Sequence, residues 1–450
     1  MKEVVVLVPG IMGSVLKKGD TVIWPGSVAE MVVPYSKMAE LLDPELVATD
    51  VIRSVSVSRQ YSQLIDAMEA CGFVETDGTL TVFPYDWRKD NALAAAGLSK
   101  HLDGLVERHG DIAINLLAHS MGGLVSRCYL ESRRYDDRPA HRAVTTLITM
   151  GTPHCGAPMA LAAALGMEKR LFLNKRQVQQ VASDKNFPSL YQLLPPRHEP
   201  FLWERGDGKR SATHDVYNPA VAATLGLSVA NLTSAEAFHA LLDFKRRPAW
   251  VRYFAFAGTH ETTVNAIHYK EMEGPDAVRK LERERGGDGT VPFWSAAPAG
   301  VQCDPVAGSH GDIYATGSLK KLLANLLGKD DMLAAAGTDP ELSLRDEVTP
   351  PSQPFFLSIH LPEFRATIDG ELRMCRCVGG DGNGIAEPVW RKLADVRYTG
   401  APIDHLSVLP TAPAYRGVYQ VALFERDSGA DATSDLRQSG EAVALFVQER

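Results

Sequence analysis

Residues 112–125 read IAINLLAHSMGGLV. An apolar run stops at Ser120, glycines follow at 122 and 123, and a second apolar stretch begins at Leu124. Continuous apolarity over 112–117 is the pattern of a strand buried on both faces, and the stretch after it, GGLVSRCYLESRR, reads as a helix. The chain therefore turns from strand to helix at Ser120, with small residues at Ala118 and Gly122 to relieve the crowded corner. One reading is a corner that happens to tolerate serine. The other is an elbow that lifts a nucleophilic hydroxyl clear of a sheet, at a helix N-terminus that favours developing negative charge. The pentapeptide alone does not decide, since a chain this long contains about 0.3–0.5 small-x-Ser-x-Gly matches by chance.

The surroundings extend the pattern. Further apolar runs at 3–10 (EVVVLVPG), 79–87 (TLTVFPYDW), 143–153 (AVTTLITMGTP) and 250–259 (WVRYFAFAGT) alternate with helical patterns. This predicts an α/β unit over 1–345, with a mostly parallel sheet flanked by helices. Several runs end in Pro-Gly, His-Ser or Thr-Pro, and ligands of open α/β sheets gather outside those carboxyl ends. The interval 155–249 mixes helical stretches and prolines without a strong strand, and reads as a helical cap. Residues 17–55 interrupt the start in the same way and read as a lid loop. A polar, proline-rich stretch at 337–354 then leads into short strand-like runs, from FFLSIHLP to EAVALFVQE, punctuated by GGDGNG and SGAD. These predict a small all-β, sandwich-like domain over 346–450.

The chain has 450 residues, with a hydrophobic content of 45% and a charged content of 23%, ordinary for a globular protein. A net charge of −8 argues against nucleic acid as a partner. The N-terminal apolar run spans only residues 4–8 before Pro-Gly. It is too short for a signal peptide or a spanning helix, so the expectation is a cytoplasmic protein, with export by a specialised route as the alternative. The six cysteines, at 71, 128, 155, 303, 375 and 377, lack the spacing of a zinc site and are expected as reduced thiols. Neither a metal nor another cofactor is expected.

A serine nucleophile needs a base and an acid to orient it, and on sheets of this kind they follow in the order Ser, acid, His. Asp288, in GGDGTVP (286–292), lies beyond the 250–259 strand, and the apolar residues after it fold its turn into the body. His310, in VAGSHGDIY (306–314), stands in a glycine-flanked loop before a helix. His360 also follows a plausible strand but belongs to the second domain. Asp304 and Asp312 are too close to His310 in sequence to serve as the acid. For the oxyanion, VPGIMGS (8–14) ends the first strand with two glycines, so the backbone N–H groups of Ile11 and Met121 form the candidate pair. His154, at another strand end, reads as structural or substrate-adjacent, and His119 is not assigned as the base despite its place beside the nucleophile.

VPGIMGS, FPYDWR (83–88), AHSMGG (118–123), GTPHCGAP (151–158) and GDGTVP (287–292), followed by the His310 loop, occur in that order. Together they resemble the lecithin:cholesterol acyltransferase and lysosomal phospholipase/acyltransferase family of α/β-hydrolases, over about residues 1–330. The resemblance implies an α/β-hydrolase fold and acyl chemistry on lipid esters, through an acyl-serine passed to water or an alcohol. It gives Ser120, Asp288 and His310 the triad and Ile11 and Met121 the oxyanion hole. It places a lid over 17–40, with Trp24 as a lid aromatic beside the substrate, and the cap over 155–249. The chain departs from secreted animal members in lacking their signal peptide and disulfides, and Ala118 stands for the commoner glycine. A bacterial-type intracellular member fits best.

The leading expectation is thus a serine esterase or acyltransferase of lipid-like esters, with transient contact at a membrane surface as an added possibility. A second reading is a catalytically silent binding or sensor protein on the same fold, recruited to a protein partner through its β domain. A third is an effector whose C-terminal domain governs delivery or activation.

Overall fold

The computed structural model describes all residues except 27–34, 56–57, 60, 171, 207–208, 270–277, 330–339, 345–347, 377–388, 427–435 and 448–450. The chain divides into two compact units. The first comprises Met1–Pro25, Lys37–Ile52 and Phe73–His310; the second comprises Gly26–Ser36, Arg53–Gly72 and Gly311–Arg450. The expected boundary at 345 falls outside the described residues, as do GGDGNG, SGAD and Cys377. Cys71, Cys128, Cys155, Cys303 and Cys375 carry free thiols. Among the described residues no helix is long and apolar enough to cross a membrane.

The first unit is built on six parallel strands: β1 (Lys2–Val8), β2 (Leu80–Val82), β3 (Ile112–His119), β4 (Val144–Met150), β5 (Arg252–Thr259) and β6 (Gln302–Ala307). They are ordered β6-β5-β4-β3-β1-β2. All eight residues of β3 are buried, as are Val4–Val8 of β1, which is why these runs are continuously apolar. Each fully buried Val, Leu or Ile side chain contributes roughly 1.5–3 kcal/mol through the hydrophobic effect. The register sets Val8 beside Ala118, Ala118 beside Thr149, and Phe256 beside Met150, so β1, β3, β4 and β5 end close together. Helix α1 (Asn91–His109) starts on the Asp90 side chain, which accepts the Ala92 amide. It buries Ala95, Leu98, Leu102 and Leu105, a helical spacing, and packs against α2 (Met121–Glu131), every residue of which is buried.

Two stretches differ from expectation. The cap does carry helices, at Met159–Ala164, Lys175–Ser183, Pro219–Leu225 and Val229–His239. It also carries strands, at Leu202–Gly206 and Lys209–Thr213, which join Thr262–Tyr269 and Val278–Arg285 in a second, four-stranded sheet. The cap is therefore not free of strands. These segments mix charged and apolar residues because they pair with one another instead of entering the parallel sheet, so they lack the apolar runs that mark buried strands. Likewise the segment expected as a lid loop holds a three-stranded antiparallel sheet of Ser14–Lys18, Thr21–Trp24 and Val47–Val51.

In the second unit the C-terminal strands form an antiparallel sheet region, as expected. Strand Leu357–Arg376 pairs from Leu357 to Met374 with Arg391–Val408, with shifts of register along the way, while its other side pairs first with Glu341–Leu344 and then with Gly417–Glu425. Arg437–Val447 completes the antiparallel run, and Val348–Thr349 adds a parallel edge. Alternate residues Tyr419, Val421 and Leu423, and Val443, Leu445 and Val447, point into one core with Leu357, Ile359 and Leu372. The sheet curls until the backbone of Gly440 meets Pro340. Helices Ser62–Ala70 and Gly317–Leu326 belong to this unit.

Candidate active site

Ser120 occupies the corner between β3 and α2 with φ 53° and ψ −126°, a positive φ that a non-glycine residue rarely adopts. The corner is fixed from three sides. Ser120 N–H donates to Met150 O at 2.8 Å, Gly123 N–H donates to Ser120 O at 3.0 Å, and the Thr152 hydroxyl donates to the same carbonyl at 2.9 Å. Gly122 allows α2 to start this close to β1: a Cβ there would stand 2.4 Å from Val8 O and 2.5 Å from Pro9 O.

The chain brings Asp288 to this corner in the turn after Val278–Arg285, beside Gly258 of β5, and His310 in the loop after β6. His310 Nε2 lies 2.8 Å from Ser120 Oγ, and its Nδ1 lies 2.7 Å from Asp288 Oδ2. Asp288 is buried, and its Oδ1 accepts the amides of Thr290 at 2.9 Å and Val291 at 2.7 Å. The sequence DGTV thus folds back to hold the carboxylate in one orientation. With Nδ1–H directed at the carboxylate, the neutral ring presents a lone pair to the serine hydroxyl. The arrangement can take the Ser120 proton as the oxygen attacks.

Gly10 lies against the same hydroxyl, with Ile11 next to it in the chain. A Cβ on Gly10 would come within 2.8 Å of Ser120 Cβ and 3.3 Å of its Oγ, so only glycine fits. The carbonyls flanking this pair are both pinned: Tyr85 Oη donates to Pro9 O at 2.8 Å, and the Trp24 indole donates to Met12 O at 2.9 Å. Among the described residues, neither the Ile11 nor the Met121 amide donates to a backbone carbonyl. Met121 stands in the first turn of α2, whose opening amides have no partner within the helix, and Ile11 stands in the loop after β1.

Trp24 is fully buried, edge-on to Trp87 at 5.4 Å and 5.8 Å from Phe172, and it supports the Ile11 loop from within. The His154 ring bonds to the Thr149 hydroxyl at 3.1 Å and meets Phe244 edge-on. Burial holds its pKa well below the usual histidine value, and none of its hydrogen bonds reaches Ser120, Asp288 or His310. Three contributors were not assigned from sequence. Thr152 and Tyr85 lie inside the GTPHCGAP and FPYDWR motifs, which is the signal that could have found them. The third is His119, whose Nε2 is 2.8 Å from the main-chain oxygen of His310. In the same FPYDWR motif Arg88, fully buried, forms a bidentate pair with Asp86, donates to Asp43 O at 2.9 Å and lies 4.4 Å over the Phe187 ring of the cap. Among the described residues there is no cluster of side chains suited to a metal ion.

A parallel sheet whose carboxyl edge carries a strained Ser elbow, followed in the chain by an Asp and then by a His that bonds to both, defines the α/β-hydrolase fold. A chain of the crystal structure of the Tle4-Tli4 complex shares that fold, with a TM-score of 0.50 at 17% identity over 74% of this chain and 99% of that one. Within the fold, the family model described as Lecithin:cholesterol acyltransferase matches residues 40–282, more than half of the chain. The protein belongs to this family. Curated relatives in Arabidopsis thaliana include lecithin-cholesterol acyltransferase-like 4, 25% identical over 63% of this chain, and phospholipase A(1) LCAT3, 23% identical over 60% of it. The alignments span 60% and 70% of those relatives' own lengths. Ser120 lies inside the family match; Ile11, Asp288 and His310 lie outside it, and the hydrogen bonds of His310 link it and Asp288 to the serine.

Proposed function

We propose that the protein is a carboxylic ester hydrolase or O-acyltransferase of lipid-like esters, working through an acyl-Ser120 intermediate. The observation that carries the reading is the continuous hydrogen-bonded chain from Ser120 Oγ through both ring nitrogens of His310 to Asp288. In the first half-reaction Ser120 Oγ attacks the ester carbonyl and its proton passes to His310 Nε2. Asp288 stabilises the resulting imidazolium and fixes its orientation. The carbonyl oxygen, now negative, accepts from the Ile11 and Met121 amides, which need no reorganisation because their loops are already pinned. Collapse breaks the bond to the leaving alcohol, which takes the proton from His310. In the second half, water or an acceptor alcohol gives its proton to His310, attacks the acyl-serine carbonyl, and the Ser120 oxygen leaves with that proton restored.

Membership of the acyltransferase family supports a lipid acyl group as the substrate class. We assign to the cap over 155–249 and the segment 17–55 the shaping of the acyl site and the choice between water and alcohol. We assign the second unit to partner recruitment and the protein to the cytoplasm. A product screen tests the reading: phospholipids, neutral glycerides and short p-nitrophenyl esters offered to wild type and to Ser120→Ala. The wild type is expected to release fatty acid or transfer it to an added alcohol, and the variant to do neither. Equal cleavage by both proteins would remove Ser120 from the reaction.

A further inference from the structure

His119, the residue before the nucleophile, is buried at the end of β3 with its ring 5.1 Å from the ring of His310. A second histidine so close to a catalytic one invites the idea of a spare base, and the geometry excludes it. Its Nε2 is aimed at the His310 carbonyl, 2.8 Å away. A carbonyl can only accept, so the ring must carry its proton on Nε2 and act as a donor. Burial pushes the His119 pKa down to about 3, and the neighbouring His310 pushes in the same direction. The ring is therefore neutral at working pH and puts no charge beside the imidazolium that forms on His310.

We propose that His119 is a positioning residue that clamps the main chain of His310, and so sets where His310 Nε2 stands relative to Ser120 Oγ. The assignment rests on the Ser120–His310–Asp288 reading of the site. His310 is then held at three points: its N–H donates to Asp288 O at 2.8 Å, its carbonyl accepts from His119, and its Nδ1 donates to Asp288 Oδ2. Only Nε2 is left for chemistry. Asp288 supplies two of these points through a single turn. His119 supplies the third from the strand that carries the nucleophile itself, so one β-strand end fixes both partners of the proton transfer. The clamp would act on the transition state more than on substrate binding, since it positions the base.

The test compares kcat and KM on a short p-nitrophenyl ester for wild type, His119→Leu, His119→Asn and His119→Gln, with melting temperatures alongside. The terminal amide of Gln can stand where Nε2 stands, whereas the shorter Asn cannot reach that far. His119→Leu and His119→Asn are expected to lower kcat by about 100-fold with KM nearly unchanged, and His119→Gln to recover most of that loss. If the Leu variant folds poorly, the Asn and Gln pair carries the comparison, because both are neutral amides. A Leu variant as fast as wild type, or a Gln variant as slow as Asn, would overturn the clamp alone. Wild-type turnover that Ser120→Ala leaves intact would instead overturn the catalytic reading, and the clamp with it.

Discussion

Asp288 holds His310 twice: its carboxylate oxygen Oδ2 lies 2.7 Å from the ring Nδ1, and its main-chain oxygen accepts the His310 N–H at 2.8 Å. The other carboxylate oxygen is occupied by the Thr290 and Val291 amides, so the aspartate cannot rotate away without breaking its own turn. The ring and backbone of the histidine thus answer to one buried residue.

Asp288→Asn keeps the shape of this contact but removes its charge and no longer requires the proton on Nδ1. By analogy with other Ser-His-Asp sites, kcat should fall by about 10⁴-fold while KM changes little. Steady-state kinetics on a p-nitrophenyl ester read this directly. A loss smaller than about tenfold would mean that another group orients His310.

Gly122→Ala places a methyl group against the carbonyls of Val8 and Pro9, backbone atoms that cannot swing aside. We expect a loss of roughly 1–3 kcal/mol in unfolding free energy, the usual range for overpacking a tight interior. Urea denaturation of the variant checks it. An unchanged midpoint would show that α2 can slide away from β1.

Tyr85→Phe removes the donor to Pro9 O and leaves that carbonyl unpaired in a buried place. A stability cost of roughly 1–3 kcal/mol follows from the unsatisfied acceptor. Displacement of the Ile11 amide should also slow acylation, by up to about 100-fold. Pre-steady-state burst kinetics separate that step from deacylation, and an unaltered burst rate would dissociate Tyr85 from the oxyanion loop.

Acid should weaken the fold through its buried histidines. Burial lowers His119 to about 3 and His101 and His239 to about 4, from an ordinary value of 6.5. Between those limits the unfolded chain binds protons that the folded chain refuses. The contribution of these residues is therefore complete above pH 6.5 and is lost as pH falls below it, at up to about 1.4 kcal/mol per pH unit for each histidine. Denaturant midpoints should be level from pH 8 to 7 and decline from 6.5 towards 4, the window set by these pKa values. A flat profile across that window would contradict neutral burial.

The parallel sheet was legible because β1, β3, β4 and β5 are buried on both faces and must be apolar throughout. Ser120 was legible because the elbow needs small residues on both sides of it. The antiparallel pairs of Leu202–Gly206 with Lys209–Thr213 and of Thr262–Tyr269 with Val278–Arg285 were not, because KRSAT and RKLERER carry charge along strands that, among the described residues, pair with one another. A Gly-Asp-Gly at 206–208 was the available sign of the first. Trp24 was read as part of a lid from its place in the loop, but its burial depends on Trp87 and Phe172, which are remote in sequence. For the same reason nothing local marks 53–72 as part of the second unit, or His119 as a donor to the loop that holds His310.

If Ser120 is the activated nucleophile, an activity-based probe will find it. The native wild-type protein is treated with a fluorophosphonate, digested, and its adduct mapped by mass spectrometry. One adduct is expected, on Ser120, absent from Ser120→Ala and from protein unfolded before treatment. No adduct on the native protein, or equal labelling of the alanine variant, would contradict it.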